Sequence, residues 1–330
     1  MAVPLHVVKR LLSLLVSLAI LAVIYWRMDF TRLGPVFRNC DLFWLVLSLG
    51  LLVPLTLMTA WRLDQLMPGG ARLGVGESNR LILVASVLNL VLPSKMGDLA
   101  KAWFIKERGH ASASLAFALV VFEKTCDMLS LLLWCAFGLL LYPQKDVLFW
   151  IMTACVTGGL VAGLALLGSP TLAEVAFRTG ARLAPAKARA KLEQLRLAWR
   201  EMHDFFWHDR SRLALVGATS VFIWFLHLLQ IWMFTLALRA HAPFLANLAL
   251  APLAILAGLL PLTLAGIGTR DAALILFYRP YLNTPTAAAL GILCTMRYVL
   301  PAVGGMPFVA QYLPGLKLAR KSLSGNNDEK

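Results

Sequence analysis

Three groups of charged residues interrupt apolar stretches of this chain, where a charge is costly and therefore informative. The first follows Pro93 in LPSKMGDLAK and comprises Lys95, Asp98 and Lys101, with Gly97 among them and Asn89 just before the break. The second is Glu123, Lys124 and Asp127 in FEKTCD. The third is Arg270 and Asp271, after Gly266 and Gly268 in LAGIGTRDAAL, and Arg297 lies further on inside the last apolar run. A charge near the bilayer centre costs about 2.5–3.5 kcal/mol on insertion scales, so each group needs partners or water.

Spacing suggests what these groups do. Lys95, Asp98 and Lys101 are three apart and share a face if the stretch after Pro93 is helical. Gly97 permits close backbone approach, and a helix starting there aims free N–H groups at the break, an anion site to which Lys95 adds charge. Glu123 and Asp127 share a face, as do Lys124 and Asp127. The trio either lies near the interface on a tilted helix or lines a hydrated cavity, paired with Lys95 or Lys101. Asp271 reads equally as a first-turn cap and as an ion- or proton-coupling group, whereas Arg270 has no such structural reading. Arg297 is a candidate partner for a phosphate or for Asp127, and Asn89 for a hydrogen bond across the first break. The substrate-binding set is therefore Asn89, Lys95, Gly97, Lys101, Gly266, Gly268, Arg270 and Arg297. The coupling or charge-pairing set is Asp98, Glu123, Lys124, Asp127 and Asp271. His227 and Gln230 predict interhelical hydrogen bonds.

Other chemistry finds no support. There is no HExxH, GxSxG, P-loop or GxGxxG motif. The five cysteines form no CxxC pair and read as small buried hydrophobes. No metal, cofactor or nucleophile–base constellation follows, and the expectation is a non-enzyme.

The elements that position these groups are membrane helices. Of the 330 residues, 59% are hydrophobic and only 15% charged, against about 25% in soluble domains. The net charge of +14 fits Lys and Arg on cytoplasmic loops beside anionic lipid, and no nucleic-acid-reading module is visible. Apolar runs predict spans at Leu11–Trp26, Leu42–Ala60, Ser114–Leu141, Val147–Leu167, Leu213–Leu238 and Thr286–Gln311, the last kinked at Pro301. The first reads as an uncleaved helix, since no small-residue cleavage site follows it. Leu81–Leu92 stops at Pro93, with a second short stretch through Phe104. Ala246–Leu264 stops at Gly266-Ile-Gly268, with a second to Tyr278. Each reads as a re-entrant hairpin of half-helices.

Charge sets the orientation. Lys9 and Arg10 place the N-terminus in the cytoplasm, followed there by the loop of Arg62, Arg72 and Arg80, the basic 169–212 loop, and a C-terminus carrying Lys317, Arg320 and Lys321. The expected fold is an all-α polytopic domain over 1–321, in which 8–142 and 147–312 form an inverted-topology repeat, with a disordered tail at 322–330. In the 169–212 loop, Leu192, Leu195, Trp199, Met202 and Phe206 recur at helical spacing. An amphipathic helix lying on the inner leaflet fits, with packing against the underside of the bundle as the alternative.

LPSKMGDLAKAWF, FEKTCD and the Gly-Ile-Gly-Thr-Arg-Asp stretch, in this order, resemble the flippase-like transmembrane region of the lysylphosphatidylglycerol synthases. Lys95, Gly97, Asp98 and Lys101 match the first family motif. Glu123, Lys124 and Asp127 match the second, with Lys where the family has Arg, and Gly266, Gly268, Arg270 and Asp271 match the third. The resemblance covers nearly the whole chain. The sequence ends shortly after Lys321, which predicts a stand-alone member without the soluble aminoacyl-transferase domain, the hopanoid-biosynthesis-associated branch being one such group. What the resemblance implies is lipid translocation. The expected function is a flippase or transporter, in the bacterial inner membrane, for an amphiphile with a phosphate-bearing headgroup. Its substrate would be an anionic phospholipid or a polyprenyl lipid, held by Lys95, Arg270 and Arg297. The alternative is a non-transporting scaffold or lipid-supply partner of a lipid-biosynthetic enzyme, docked through the amphipathic loop. An intramembrane enzyme acting on lipid phosphates is the third reading.

Overall fold

The computed structural model describes residues 33–67, 72–91, 97–107, 111–142, 145–259 and 268–324. All regular structure among them is helical. The expected span Leu11–Trp26 lies outside the described residues, as do Lys95, Gly266 and the last six positions.

The chain begins with α1 (Leu33–Arg38), α2 (Leu42–Gly50) and α3 (Leu52–Leu66). Next come α4 (Val75–Val91) and α5 (Gly97–Glu107), and then the long α6 (Ala113–Leu141). After α7 (Val147–Gly168) come α8 (Pro170–Leu183) and α9 (Ala186–His208). The remainder is α10 (Arg210–Ala237), α11 (Phe244–Gly258), α12 (Thr269–Phe277) and α13 (Thr284–Ser324). Helix starts follow capping chemistry. Asp41, Ser112, Asp146, Ser169 and Asp209 each accept a backbone N–H from the first turn of the helix they precede.

Leu42–Leu66, Val147–Gly168, Arg210–Ala237 and Thr284–Tyr312 are long and apolar enough to cross a membrane. Leu42, Val46, Val147, Trp150 and Val161 are exposed on α2 and α7, as lipid-facing side chains are. The protein is an all-α, multi-pass membrane protein.

Several boundaries differ from the sequence expectation. The second span does not end at Ala60. It breaks briefly at Leu51, because Pro54 has no N–H to give the Gly50 carbonyl, and then continues to Leu66. Arg62, expected in a cytoplasmic loop, is consequently inside a helix and 1% exposed. The last helix runs as one element from Thr284 to Ser324, past the expected end at Gln311. The 169–212 loop is a helix pair rather than one surface helix. Trp199 and Phe206 of α9 are buried, and Phe206 stacks on Phe122 of α6 at 4.2 Å between ring centroids. The apolar stripe of α9 therefore packs under the bundle, because Phe122 of α6 and Phe177 of α8 offer it an apolar surface.

The four shorter helices come in two pairs, α4 with α5 and α11 with α12. At 11 and 9 residues, α5 and α12 reach only about 16 and 14 Å, half the apolar thickness of a bilayer. The first arm of each pair packs on a long helix outside the pair: α4 on α13, and α11 on α6. Both contacts are backbone to backbone through a glycine. A Cβ at Gly305 would strike the Leu83 carbonyl oxygen, and one at Gly138 the Ala249 carbonyl oxygen, so only a missing side chain lets these helices approach. The apolar core divides into two clusters along α6. One gathers Ala116–Phe122 with Leu81, Phe104 and Phe206, and the other Leu131–Leu139 with α10 to α13. Glu123 and Asp127 lie between them.

Candidate functional site

α6 starts at Ala113, so Glu123 and Asp127 stand about 15 and 21 Å along a helix of about 43 Å, near its midpoint. Carboxylates at that depth must be answered by cations. Three arrive, from three helices. Lys101 Nζ of α5 donates to Glu123 Oε2 at 2.7 Å. Arg62 of α3 reaches Glu123 Oε1 at 3.2 Å through Nη2 and Asp127 Oδ1 at 2.6 Å through Nη1. Lys124 of α6 donates to Asp127 Oδ2 at 3.3 Å. Asp98 of α5 then bridges the two lysines, 3.6 Å from Lys101 and 3.1 Å from Lys124. The six groups alternate in sign and close a ring, with Ser220 of α10 accepting a further bond from Arg62 at 2.8 Å.

The ring members differ in burial. The side chains of Arg62, Lys101 and Glu123 are 1–2% exposed. Those of Asp98, Asp127 and Lys124 are 16%, 22% and 43% exposed, and all six residues line a cavity of about 240 Å3. Asn89, His227, Arg297 and Tyr298 line it too. Gly97, at the start of α5, is where α4 comes closest: a Cβ there would collide with the Ala85 carbonyl and with Asn89. The glycine thus lets α5 begin directly against α4 and delivers Asp98 and Lys101 to α6.

Arg297 is the fourth cation on this wall. Its Nη2 meets Nδ1 of His227 on α10, and among the described residues its buried Nε has no partner and no carboxylate pairs with it. The buried carboxamide oxygen of Asn89 likewise has no partner among the described residues.

The second break is built differently. Gly268 takes a φ of 102°, open to glycine, and its N–H donates to Asp271 Oδ2 at 3.1 Å. Asp271 caps α12 in this way. Arg270 is held behind the cavity wall. It donates to Asp271 Oδ1 at 2.6 Å, to the Gly291 carbonyl at 3.0 Å and to Thr295 Oγ1 at 2.8 Å, and its guanidinium lies 6.0 Å from the Tyr298 ring centre.

The predicted residues are thus brought together only in part. Asn89, Gly97, Asp98, Lys101, Glu123, Lys124 and Asp127 assemble as one site, and Arg297 joins them from α13. Asp127 takes Arg62 as its partner, not Arg297. Arg270, Asp271 and Gly268 form a separate latch one side chain away. Lys95 and Gly266 lie outside the described residues. Gln230 makes its interhelical bond, to the Ser48 carbonyl at 2.7 Å. Sequence reasoning missed Arg62, Ser220 and the pairing of His227 with Arg297. A signal for Arg62 existed: Leu63, Leu66 and Met67 keep the helical period beyond Ala60, and all three are buried.

The family model described as lysylphosphatidylglycerol synthase TM region matches residues 10–304. No curated protein matches the chain.

Proposed function

The chain belongs to the lysylphosphatidylglycerol synthase transmembrane-region family, and from that premise we propose that it translocates an amphiphile with a phosphate-bearing headgroup across the bacterial inner membrane. The observation that carries this reading is Arg297. In the ring, three cations and three anions cancel. Arg297 adds one positive charge to the same cavity, with its Nε buried and unsatisfied. An unpaired buried cation is costly, and a phosphodiester oxygen supplies both the charge and the hydrogen-bond acceptor. At about 240 Å3 the cavity suits a headgroup, while the chains of the amphiphile stay in lipid.

Architecture belongs to the same proposal. α4–α5 and α11–α12 are read as re-entrant hairpins of an inverted-topology repeat, entering from opposite faces. Their short arms and the reciprocal packing of α4 on α13 and α11 on α6 support this. The ring acids pair the cations while the site is empty, and the Arg270–Asp271 latch braces Tyr298 behind Arg297. The protein acts as a transporter of membrane lipid, not as an enzyme.

The test is a proteoliposome assay with fluorescently labelled phosphatidylglycerol and an impermeant quencher. Wild-type protein should raise the quenchable fraction above that of one leaflet, and Arg297→Gln should slow this by about tenfold or more, as expected for loss of a charge-assisted hydrogen bond. Equal rates in wild type, variant and empty vesicles sink the proposal.

A further inference from the structure

A second polar cleft, of about 490 Å3, opens between α8 and α9, remote in sequence from the ring. Two of its features are unmet. His203 is 7% exposed and lines the cleft, yet among the described residues its Nε2 has no hydrogen-bond partner. Its Nδ1 is 3.9 Å from Asp204, beyond hydrogen-bonding length. Leaving a buried polar nitrogen unpaired is unfavourable, which points to a missing partner. The other feature is the first turn of α8. Ser169 Oγ accepts from the Leu172 N–H at 3.3 Å, and Thr171 in the same turn lines the cleft. Pro170 has no N–H, and those of Leu172 and Ala173 are bonded to Ser169, which leaves the Thr171 N–H and the partial positive charge of the helix start to suit an anion.

Charge in the cleft is unevenly committed. Glu174 already holds Arg178 at 2.8 Å and Arg196 at 2.7 Å. Arg200 lines the same wall with no carboxylate paired to it among the described residues. The depth of the cleft is fixed by Trp199, whose Nε1 donates to the Leu166 carbonyl at 3.2 Å, near the last residue of the membrane-crossing α7. That is the level of lipid headgroups. On α8, Leu172 and Val175 are more than half exposed, as on a helix seated at a membrane surface.

We propose that this cleft binds the phosphate group of an anionic lipid from the adjacent leaflet, held by His203 Nε2, Arg200 and the first turn of α8. The site is distinct from the Arg297 cavity and does not depend on lipid translocation.

The full chain with Arg297→Gln, which disables the central cavity, is the background for the test. Native mass spectrometry then follows retention of phosphatidylglycerol, phosphatidylcholine and inorganic phosphate, with His203→Phe and Arg200→Gln compared to the background protein. Each variant should weaken phosphatidylglycerol retention by about tenfold and leave phosphatidylcholine unchanged. Arg200 is exposed, so its variant reports on binding even if His203→Phe fails to fold. Retention of inorganic phosphate with no retention of phosphatidylglycerol overturns the lipid as ligand. Phosphatidylglycerol retention unaltered by Arg200→Gln overturns the site itself.

Discussion

Arg62 Nη1 donates to Asp127 Oδ1 at 2.6 Å, joining a helix on the N-terminal side of the first hairpin to one on its C-terminal side. This bond closes the ring, and loss of the Arg62 side chain leaves Asp127 with Lys124 alone and Glu123 with Lys101 alone. Arg62→Met should therefore destabilise the protein by about 3–5 kcal/mol, the usual effect of removing one partner from a buried ion pair. Chemical unfolding in detergent measures it, and a loss below about 1 kcal/mol contradicts a structural ring.

The two lysines of the ring should separate stability from transport. Lys101 is 2% exposed, so Lys101→Gln is expected to cost about 3–5 kcal/mol. The side chain of Lys124 is 43% exposed, so Lys124→Gln should cost less stability than Lys101→Gln while slowing lipid movement. Equal melting temperatures for the two variants refute this ranking of the ring by burial.

What made the ring only half legible in the sequence is instructive. Asp98, Lys101, Glu123, Lys124 and Asp127 announce themselves as charges inside apolar stretches, and helical spacing accounts for the pairs Asp98–Lys101 and Lys124–Asp127 but not for those between helices. Arg62 does not, because a charge just past an apolar run is indistinguishable from an ordinary loop charge until its partners are known. Those partners, Glu123, Asp127 and Ser220, come from distant segments, and nothing local encodes that meeting. Arg270 shows the reverse: a cation conspicuous in the sequence is engaged by its own neighbour Asp271. The stripe of α9 was legible as amphipathic, but periodicity cannot say whether lipid or protein covers it.

The glycine contacts predict substitutions of opposite sign. Gly138→Ala and Gly305→Ala push a methyl group into a facing carbonyl and should each destabilise by about 1–3 kcal/mol. Gly158→Ala, in α7 with open space around it, should stabilise by about 0.5–1 kcal/mol through helix propensity. Thermal unfolding of the three variants, side by side, decides it.

Asp209, at the membrane-proximal start of α10, gives a pH signature. The Arg212 N–H, donating at 3.0 Å, holds its carboxyl below the ordinary aspartate value, with Ser211 adding to the effect. A carboxyl lowered in the folded state stabilises above its unfolded pKa of about 3.9, and that contribution fades as the pH falls through the folded value. Asp209→Asn keeps the cap but removes the charge. The melting-temperature advantage of wild type over this variant should be present at pH 7 and shrink toward pH 3. A difference that grows on acidification disproves the assignment.

The reciprocal contacts of α4 with α13 and of α11 with α6 bear on biosynthesis. Leu83 lies early in the chain and its counterpart Gly305 near the end, so during membrane insertion α4 waits for most of the polypeptide before its partner exists. α11 meets no such delay, since α6 is already in place when it emerges. Until α13 emerges, α4 has only α3 and α5 to pack against, and the face that meets Gly305 is left to lipid.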